Sequence, residues 1–265
     1  MPVSQTNGRY TLVELMVCVA ARQLEDGKTA VIGTGMPLAA AMLAQKTHSP
    51  NLIVMFEAGS VAPQLARLPV SVADSATQTG ALFHGSMNEV MEACQRGLVD
   101  YTFLGGAQID RYGNINSTMI GANFRRPKAR LPGSGGANDL ASLCWKTLVI
   151  LPHDRRRFVD RLDFMTTPGY LTGPGARERA GLPPGTGPYK VISTLAVMGF
   201  EAETKRMRVE SLHPGITKDE VTANTGFEML FADTLPSTVE PTAEELRVLR
   251  EAVDPQGLII GRRGA

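Results

Sequence analysis

The chain is poor in the residues that most often announce a function. It has three cysteines, Cys18, Cys94 and Cys144, odd in number and widely spaced. That excludes a disulfide framework and a cysteine-built zinc site, and it points to a reducing, cytoplasmic setting. Its four histidines, His48, His84, His153 and His213, stand alone with no metal-ligand spacing, so no metal is expected. One tryptophan, five tyrosines and nine phenylalanines are too few for a platform that stacks single-stranded bases. Charge of either sign is not in excess, with 27 Lys and Arg against 26 Asp and Glu. This excludes a broad basic footprint for nucleic acid and an acidic tail. No apolar run approaches the roughly 20 residues of a membrane span. The polar segment from Met1 to Tyr10 lacks a basic n-region, and Glu14 interrupts the apolar stretch after it, so no signal peptide is expected.

What is present is material for a core. The chain has 265 residues, 43% of them hydrophobic, with 27 glycines and 17 prolines in clusters rather than in a repeat. A loop-rich globular enzyme fits, in one or two domains. Thr11 and Glu14 form an S/T-x-x-E box opening an amphipathic helix over 11–25. Thr29–Ile32 and Leu52–Phe56 read as buried strands around an Ala- and Leu-rich helix from Pro37 to His48, a β-α-β unit with a right-handed crossover. Ser86 with Glu89 opens a helix to about Gly97. Tyr101–Leu104 and Leu148–Leu151 are further strands, the latter after a helix near Asp139–Trp145. Tyr189–Val197 and Arg206–Leu212 alternate more and read as a hairpin or as sheet-edge strands with one wet face. Thr217 with Glu220, and Thr242 with Glu245, cap two late helices. The order predicts an α/β fold, an open, mostly parallel sheet flanked by helices, in a single domain over 1–265. The Pro- and Gly-rich stretch 168–188 reads as a long loop, a lid or an interface.

Three segments could carry chemistry. Gly33-Thr34-Gly35-Met36-Pro37 follows a strand and opens a helix, where backbone N–H groups suit an anion. With Glu57 about 22 residues on, a dinucleotide site is one reading, but Leu38 occupies the third glycine position, and a tight βα turn is the plainer one. Glu57, in Phe56-Glu57-Ala58-Gly59-Ser60, closes a buried strand at the edge where α/β sheets bind ligands. A carboxylate ionised at neutral pH needs no base to act as a nucleophile; a solvated turn acid is the bland alternative. Gly133-Ser134-Gly135-Gly136-Ala137-Asn138-Asp139 is small enough to approach a ligand closely and to offer an oxyanion nest, with Asn138 or Asp139 capping the next helix. Gly105–Asp110 and Gly113–Asn116 are turn-like, and Arg155-Arg156-Arg157 is either a solvated turn or a phosphate contact. Neither Ser60 nor Ser134 matches G-x-S-x-G. The 12 methionines read as core filler.

These pieces resemble the β subunit of class I CoA-transferases, in the glutaconate and 3-oxoadipate branch. The matching residues are Gly33–Pro37, Glu57-Ala58-Gly59, Gly105–Asn116, Arg130–Asp139, Leu212-His213-Pro214-Gly215 and Asn224-Thr225-Gly226, spread over about 10–250. The resemblance implies an α subunit as partner, with the active site between the two chains. It implies no permanently bound cofactor, with coenzyme A as substrate and product. Glu57 takes the position of a nucleophile that becomes a glutamyl-CoA thioester in a ping-pong reaction. Gly135, Gly136 and Ala137 line the thioester, with Gly136 at the oxyanion, and Gly33, Gly35, Gly59, Gln108 and Asn116 are expected at the CoA and substrate site. Ala58 stands where the glutaconate branch has Ser, which leaves the acid open; dicarboxylic acids fit the branch. Two other readings are a CoA-thioester hydrolase or decarboxylase on the same fold, and a non-catalytic acyl-CoA or sugar-phosphate sensor, which would bind without turnover.

Overall fold

The computed structural model describes residues 5–6, 8–72 and 74–261; the rest of the expected 1–265 domain lies outside the described residues. Two compact units divide the chain, Met1–Phe103 with Val239–Ala265, and Leu104–Thr238. In the first, β1 (Gln5–Thr6) and β2 (Tyr10–Thr11) pair antiparallel and lead into α1 (Leu12–Ala21). The predicted capping box sets its start: the Glu14 N–H donates to Thr11 Oγ1, and the Thr11 N–H donates to Glu14 Oε2 at 2.7 Å. The helix is shorter than the predicted 11–25 and is not amphipathic, since Leu15 through Ala21 are all buried. Its one charged side chain, Glu14, is 1% exposed and accepts from Arg250 Nε and Nη2 at 2.6 and 3.1 Å. A buried carboxylate needs such a partner, and with it the helix has no polar face to keep wet.

The β-α-β unit is present as β3 (Thr29–Val31), α2 (Met36–Lys46) and β4 (Ile53–Met55), with β3 and β4 parallel and Val31 opposite Met55. Leu38 through Ala44 of α2 are all buried. β5 (Ser60–Val61) folds back antiparallel on β4, and β6 (Phe83–His84) pairs antiparallel with β5. α3 (Met87–Gln95) starts at the Ser86–Glu89 box, and β7 (Tyr101–Leu104) lies parallel to β3. The strand order is β7-β3-β4-β5-β6. The late helix Ala243–Val248 carries the Thr242–Glu245 box, and Glu245 also accepts from Arg22 Nε at 2.7 Å.

The second unit opens with two short hairpins, β8 (Gln108–Ile109) with β9 (Ile115–Asn116), and β10 (Met119–Ile120) with β11 (Ala129–Arg130). Then come α4 (Ala137–Leu143), β12 (Lys146–Leu151), α5 (Ala176–Arg179), β13 (Pro188–Ser193), β14 (Ala196–Phe200), β15 (Met207–Leu212), α6 (Lys218–Ala223) and β16 (Leu230–Phe231). Strands run in the order β12-β13-β14-β15-β16, parallel at β12-β13 and β15-β16 and antiparallel between. Val149, Leu151, Val191, Met198 and Val209 form the centre of its core. The class is α/β, an open, mostly parallel sheet flanked by helices, as the sequence predicts.

Three readings need correction here. The run Tyr189–Val197 is two strands, because Ser193 Oγ accepts from the Leu195 and Ala196 N–H groups and turns the chain. The stretch 168–188 is no loose lid: Arg177, 2% exposed, donates to the carbonyls of Pro168, Gly169, Ala141 and Ser142 and to Thr186 Oγ1. Not every methionine is core, since Met87 and Met165 are 51% and 46% exposed. Among the described residues no helix is long and apolar enough to cross a membrane.

Candidate active site

Glu57 sits at the tip of a tight hairpin. The Gly59 N–H donates to Phe56 O at 2.9 Å, and the Phe56 N–H to Ser60 O at 2.9 Å, which closes a three-residue loop of Glu57, Ala58 and Gly59 between β4 and β5. Such loops end in a residue of positive φ, and Gly59 has φ +113°. It also has no room for a side chain, since a Cβ there would lie 2.0 Å from Gly85 O. The Gly85 N–H donates back to Gly59 O at 2.8 Å. Glycine at 59 therefore frames the turn, and Glu57, half-buried, projects from a rigid base. Glu57 does close the second strand of the β-α-β unit, but Leu38, buried, occupies the third glycine position of the dinucleotide fingerprint, so that pattern is incomplete.

Gly33 and Gly35 form the turn from β3 into α2, with Gly35 as the N-cap. Because Val31 and Met55 are register partners, Gly33 and Glu57 both stand two residues beyond the same rung, at the carboxyl ends of adjacent parallel strands. That is the edge at which open α/β sheets take ligands.

The second unit holds the glycine loop. Gly136 is buried and is the N-cap of α4, with no side-chain cap. Asn138 is already inside the helix and does not cap it; its Nδ2 donates to Thr166 O at 2.9 Å. The Ala137 N–H is engaged by Ser134 O at 2.9 Å. Upstream, Gly133 N donates to Ser117 O at 3.0 Å, and Ser117 Oγ donates to Gly133 O at 2.9 Å. The Ser117 N–H in turn donates to Thr166 Oγ1 at 2.8 Å. Ser117 and Thr166, which no sequence motif singles out, thus hold both ends of the loop that carries Gly135 and Gly136.

Gln108 and Asn116 face each other across β8 and β9 and are buried. Asn116 Nδ2 donates to Gln108 Oε1 and to Met119 O, both at 2.7 Å, and Asn116 Oδ1 accepts from the Thr118 and Met119 N–H groups. Gln108 Oε1 also accepts from the Asp163 N–H. The Asn116 amide is thus saturated within the protein, and the pair supports the chain leading to Ser117 rather than facing a ligand.

Two histidines that are isolated in sequence meet at one serine. His153 Nδ1 lies 2.9 Å from Ser193 Oγ, and its ring stacks on Phe158 at 3.7 Å. His213 Nε2–H donates to Ser193 O at 2.8 Å, which leaves Nδ1 to accept from Thr238 Oγ1. Burial pushes both imidazoles down to about 4, so they are neutral at pH 7 and serve the β13–β14 turn. All three cysteines are free and buried, and burial pushes the Cys18 thiol up to about 12, far from a thiolate. No group of His, Cys, Asp and Glu among the described residues is arranged to hold a metal ion.

An acid and a glycine turn thus stand side by side at the carboxyl edge of an α/β sheet, where such folds take their ligands, and a separate glycine loop opens a helix. The chain belongs to the coenzyme A transferase family, whose model matches residues 13–224. It is 40% identical over 249 residues to the β subunit of 3-oxoadipate CoA-transferase from Pseudomonas knackmussii, covering 91% of this chain and 92% of that one. It is 34% identical over 254 residues to the β subunit of glutaconate CoA-transferase from Acidaminococcus fermentans, covering 93% of each. The crystal structure of glutaconate coenzyme A-transferase from Acidaminococcus fermentans superposes with a TM-score of 0.88 at 32% identity, over 96% of this chain and 98% of that one.

Proposed function

We propose that this chain is the β subunit of a two-subunit CoA-transferase, working as one domain over 1–265 in the cytoplasm. It moves CoA between an acyl-CoA and a free acid, with Glu57 as the covalent nucleophile. The observation that carries the reading is the placement of Glu57 on a rigid hairpin tip, beside the Gly33–Gly35 turn, at the carboxyl edge of β3 and β4. Kinship with the β subunits of the 3-oxoadipate and glutaconate enzymes supports a dicarboxylic or oxo-dicarboxylic substrate and an α-subunit partner. Leu82, Phe83 and Met87 are 84%, 49% and 51% exposed on and beside β6, the edge strand next to the Glu57 hairpin. They form an apolar strip suited to that partner.

In the first half-reaction the Glu57 carboxylate attacks the thioester carbonyl, the C–S bond breaks, and an acyl-glutamyl anhydride and CoA thiolate result. The thiolate then attacks the glutamyl carbonyl, the C–O bond breaks, and the first acid leaves as its carboxylate. What remains is a glutamyl-CoA thioester, on which the acceptor acid repeats the steps in reverse. Each attack passes through a tetrahedral oxyanion, and the Gly136 amide is the donor that meets it. Gly135 keeps the wall open to the thioester, and Ala137 lines it with a methyl group. Gly33 and Gly35 leave room for the acyl chain, Gly59 fixes the turn, and Gln108 with Asn116 position the glycine loop. Coenzyme A enters and leaves as substrate and product, with no other cofactor required.

Acceptor dependence tests this reading. The chain co-expressed with its partner subunit, given succinyl-CoA or glutaryl-CoA, turns the thioester over beyond one equivalent per Glu57 only when a free acid is present. Glu57→Ala lowers transfer by about 10⁴-fold or more while leaving assembly intact. Thioester loss that proceeds equally without an acceptor, or activity above a few per cent in the variant, overturns it.

A further inference from the structure

The hairpin β10–β11 carries charge that no carboxylate among the described residues neutralises. Its connection and second strand contain Arg125, Arg126, Lys128 and Arg130, all exposed. None has a carboxylate partner among the described residues, whereas Arg22, Arg67, Arg206, Arg247 and Arg250 each hold one. The acid at the hairpin's base, Asp163, is committed elsewhere: its Oδ2 accepts from the Gly121 N–H at 2.9 Å and from Gln108 Nε2 at 3.3 Å.

The tip is also built, not loose. Asn123 Oδ1 accepts from the Arg125 and Arg126 N–H groups at 2.9 and 3.3 Å, an Asx turn that fixes their backbone. The Lys128 N–H donates to Ile120 O at 2.8 Å. Phe124, 55% exposed, lies 5.8 Å from the Phe164 ring centroid and carries the Arg130 guanidinium 4.7 Å over its face. The Arg130 Nη2 also donates to Phe124 O at 2.8 Å, so stack and hydrogen bond together hold the arginine in place while its charge stays exposed. Arg130 is six residues before Gly136, so the two Cα atoms are at most about 21 Å apart.

We propose that this hairpin binds the phosphates of the 3′-phospho-ADP end of coenzyme A, the pantetheine arm then running along Leu131–Gly135 toward Gly136. The inference rests on the CoA-transferase reading and extends it to the far end of the substrate. The chemistry is that of unpaired cations and a multiply charged anion: the guanidinium fork matches phosphate oxygens, and a cluster on a fixed turn loses little entropy on binding. Gln108 acquires a purpose through the same geometry, since Gln108 and Gly121 share Asp163 and so join the floor of the site to the base of the hairpin.

The test uses the chain assembled with its partner subunit. In the triple variant R125Q/R126Q/K128Q, the affinity for 3′-phosphoadenosine 5′-diphosphate, read by calorimetry, falls at least about tenfold. The KM for acyl-CoA rises by a similar factor, while kcat and the kinetics with the corresponding acyl-pantetheine, which lacks the nucleotide, stay as in the parent. R96Q, at an exposed arginine outside the hairpin, leaves all of these unchanged. Unchanged nucleotide affinity in the triple variant overturns the proposal, as does an equal loss with acyl-pantetheine. Nucleotide binding that depends on the hairpin in a parent protein without acyl transfer sustains the site and removes the transferase reading. Normal transfer with a silent triple variant does the reverse.

Discussion

The hairpin that carries Glu57 and the loop that carries Gly136 both depend on glycine, but they are held by different means. At Gly59 the constraint is double: a φ of +113° and a neighbouring carbonyl 2.0 Å from where a Cβ would stand. At Gly133 φ is +99°, yet nothing lies within 4 Å of a Cβ. The first turn is locked by packing against β6, the second by hydrogen bonds from Ser117 and by its own backbone conformation. In the proposed reaction the group at this turn forms covalent bonds and has to be aimed, and packing would aim it. A donor loop has to reach an oxyanion at hydrogen-bond length, and a hydrogen-bonded strap supplies that placement while leaving space in front.

The contrast can be broken by substitution. Gly59→Ala combines a strained φ with a backbone clash and should cost about 4 kcal/mol. Chemical denaturation of the variant reads the loss, and a shift below about 1 kcal/mol would mean the β5–β6 contact is not rigid. Gly136→Val fills the loop in front of α4 and should lower kcat by about 10²–10³-fold. An unchanged kcat would make that loop merely structural.

Acid sharpens the comparison by acting on the second unit. His153 and His213 are held near 4 when folded, against an ordinary 6.5, so the unfolded chain binds more protons between these values. Their contribution is complete above about pH 6.5 and is lost as pH falls toward 4, of order 2 kcal/mol each by pH 5. Hydrogen exchange at pH 5 against pH 7 should show the β13–β14 turn and its neighbours opening first. Equal protection at both pH values would contradict this. The smallest effect is expected of Gly133→Ala, about 1–2 kcal/mol from φ alone, because its Cβ enters open space. A loss as large as that at Gly59 would show that the two turns are held alike.

Much of this was legible in the residues because it is local. The boxes at Thr11, Ser86, Thr217 and Thr242 all form, and each fixes a helix start from a four-residue pattern. Strands over 29–32, 52–56 and 101–104 were placed within a residue of their ends, since short β-branched or apolar runs bounded by turns leave few alternatives. What escaped was long-range. Nothing near Glu14 announces Arg250, and nothing near Gly59 announces the carbonyl of Gly85. Arg177 reads as a surface residue in a Pro- and Gly-rich loop, yet it is buried because backbone carbonyls converge on it. The turn inside 189–197 left one signal that was there to be read, the Ser193-Thr194 pair, whose first hydroxyl turns the chain. The position of Glu57 was readable as the end of a strand; the hairpin that presents it was not.

The central claim, that Glu57 becomes covalently linked to coenzyme A, is most directly tested by mass spectrometry. The chain, assembled with its partner subunit, is exposed to succinyl-CoA or glutaryl-CoA without acceptor, and the intact protein and its peptides are weighed. The account predicts a CoA-sized adduct on the peptide containing Glu57, removed by a free acid and absent from Glu57→Ala. Release of CoA with no adduct, across a panel of acyl-CoAs, would contradict it and leave Glu57 as a base or a binding group.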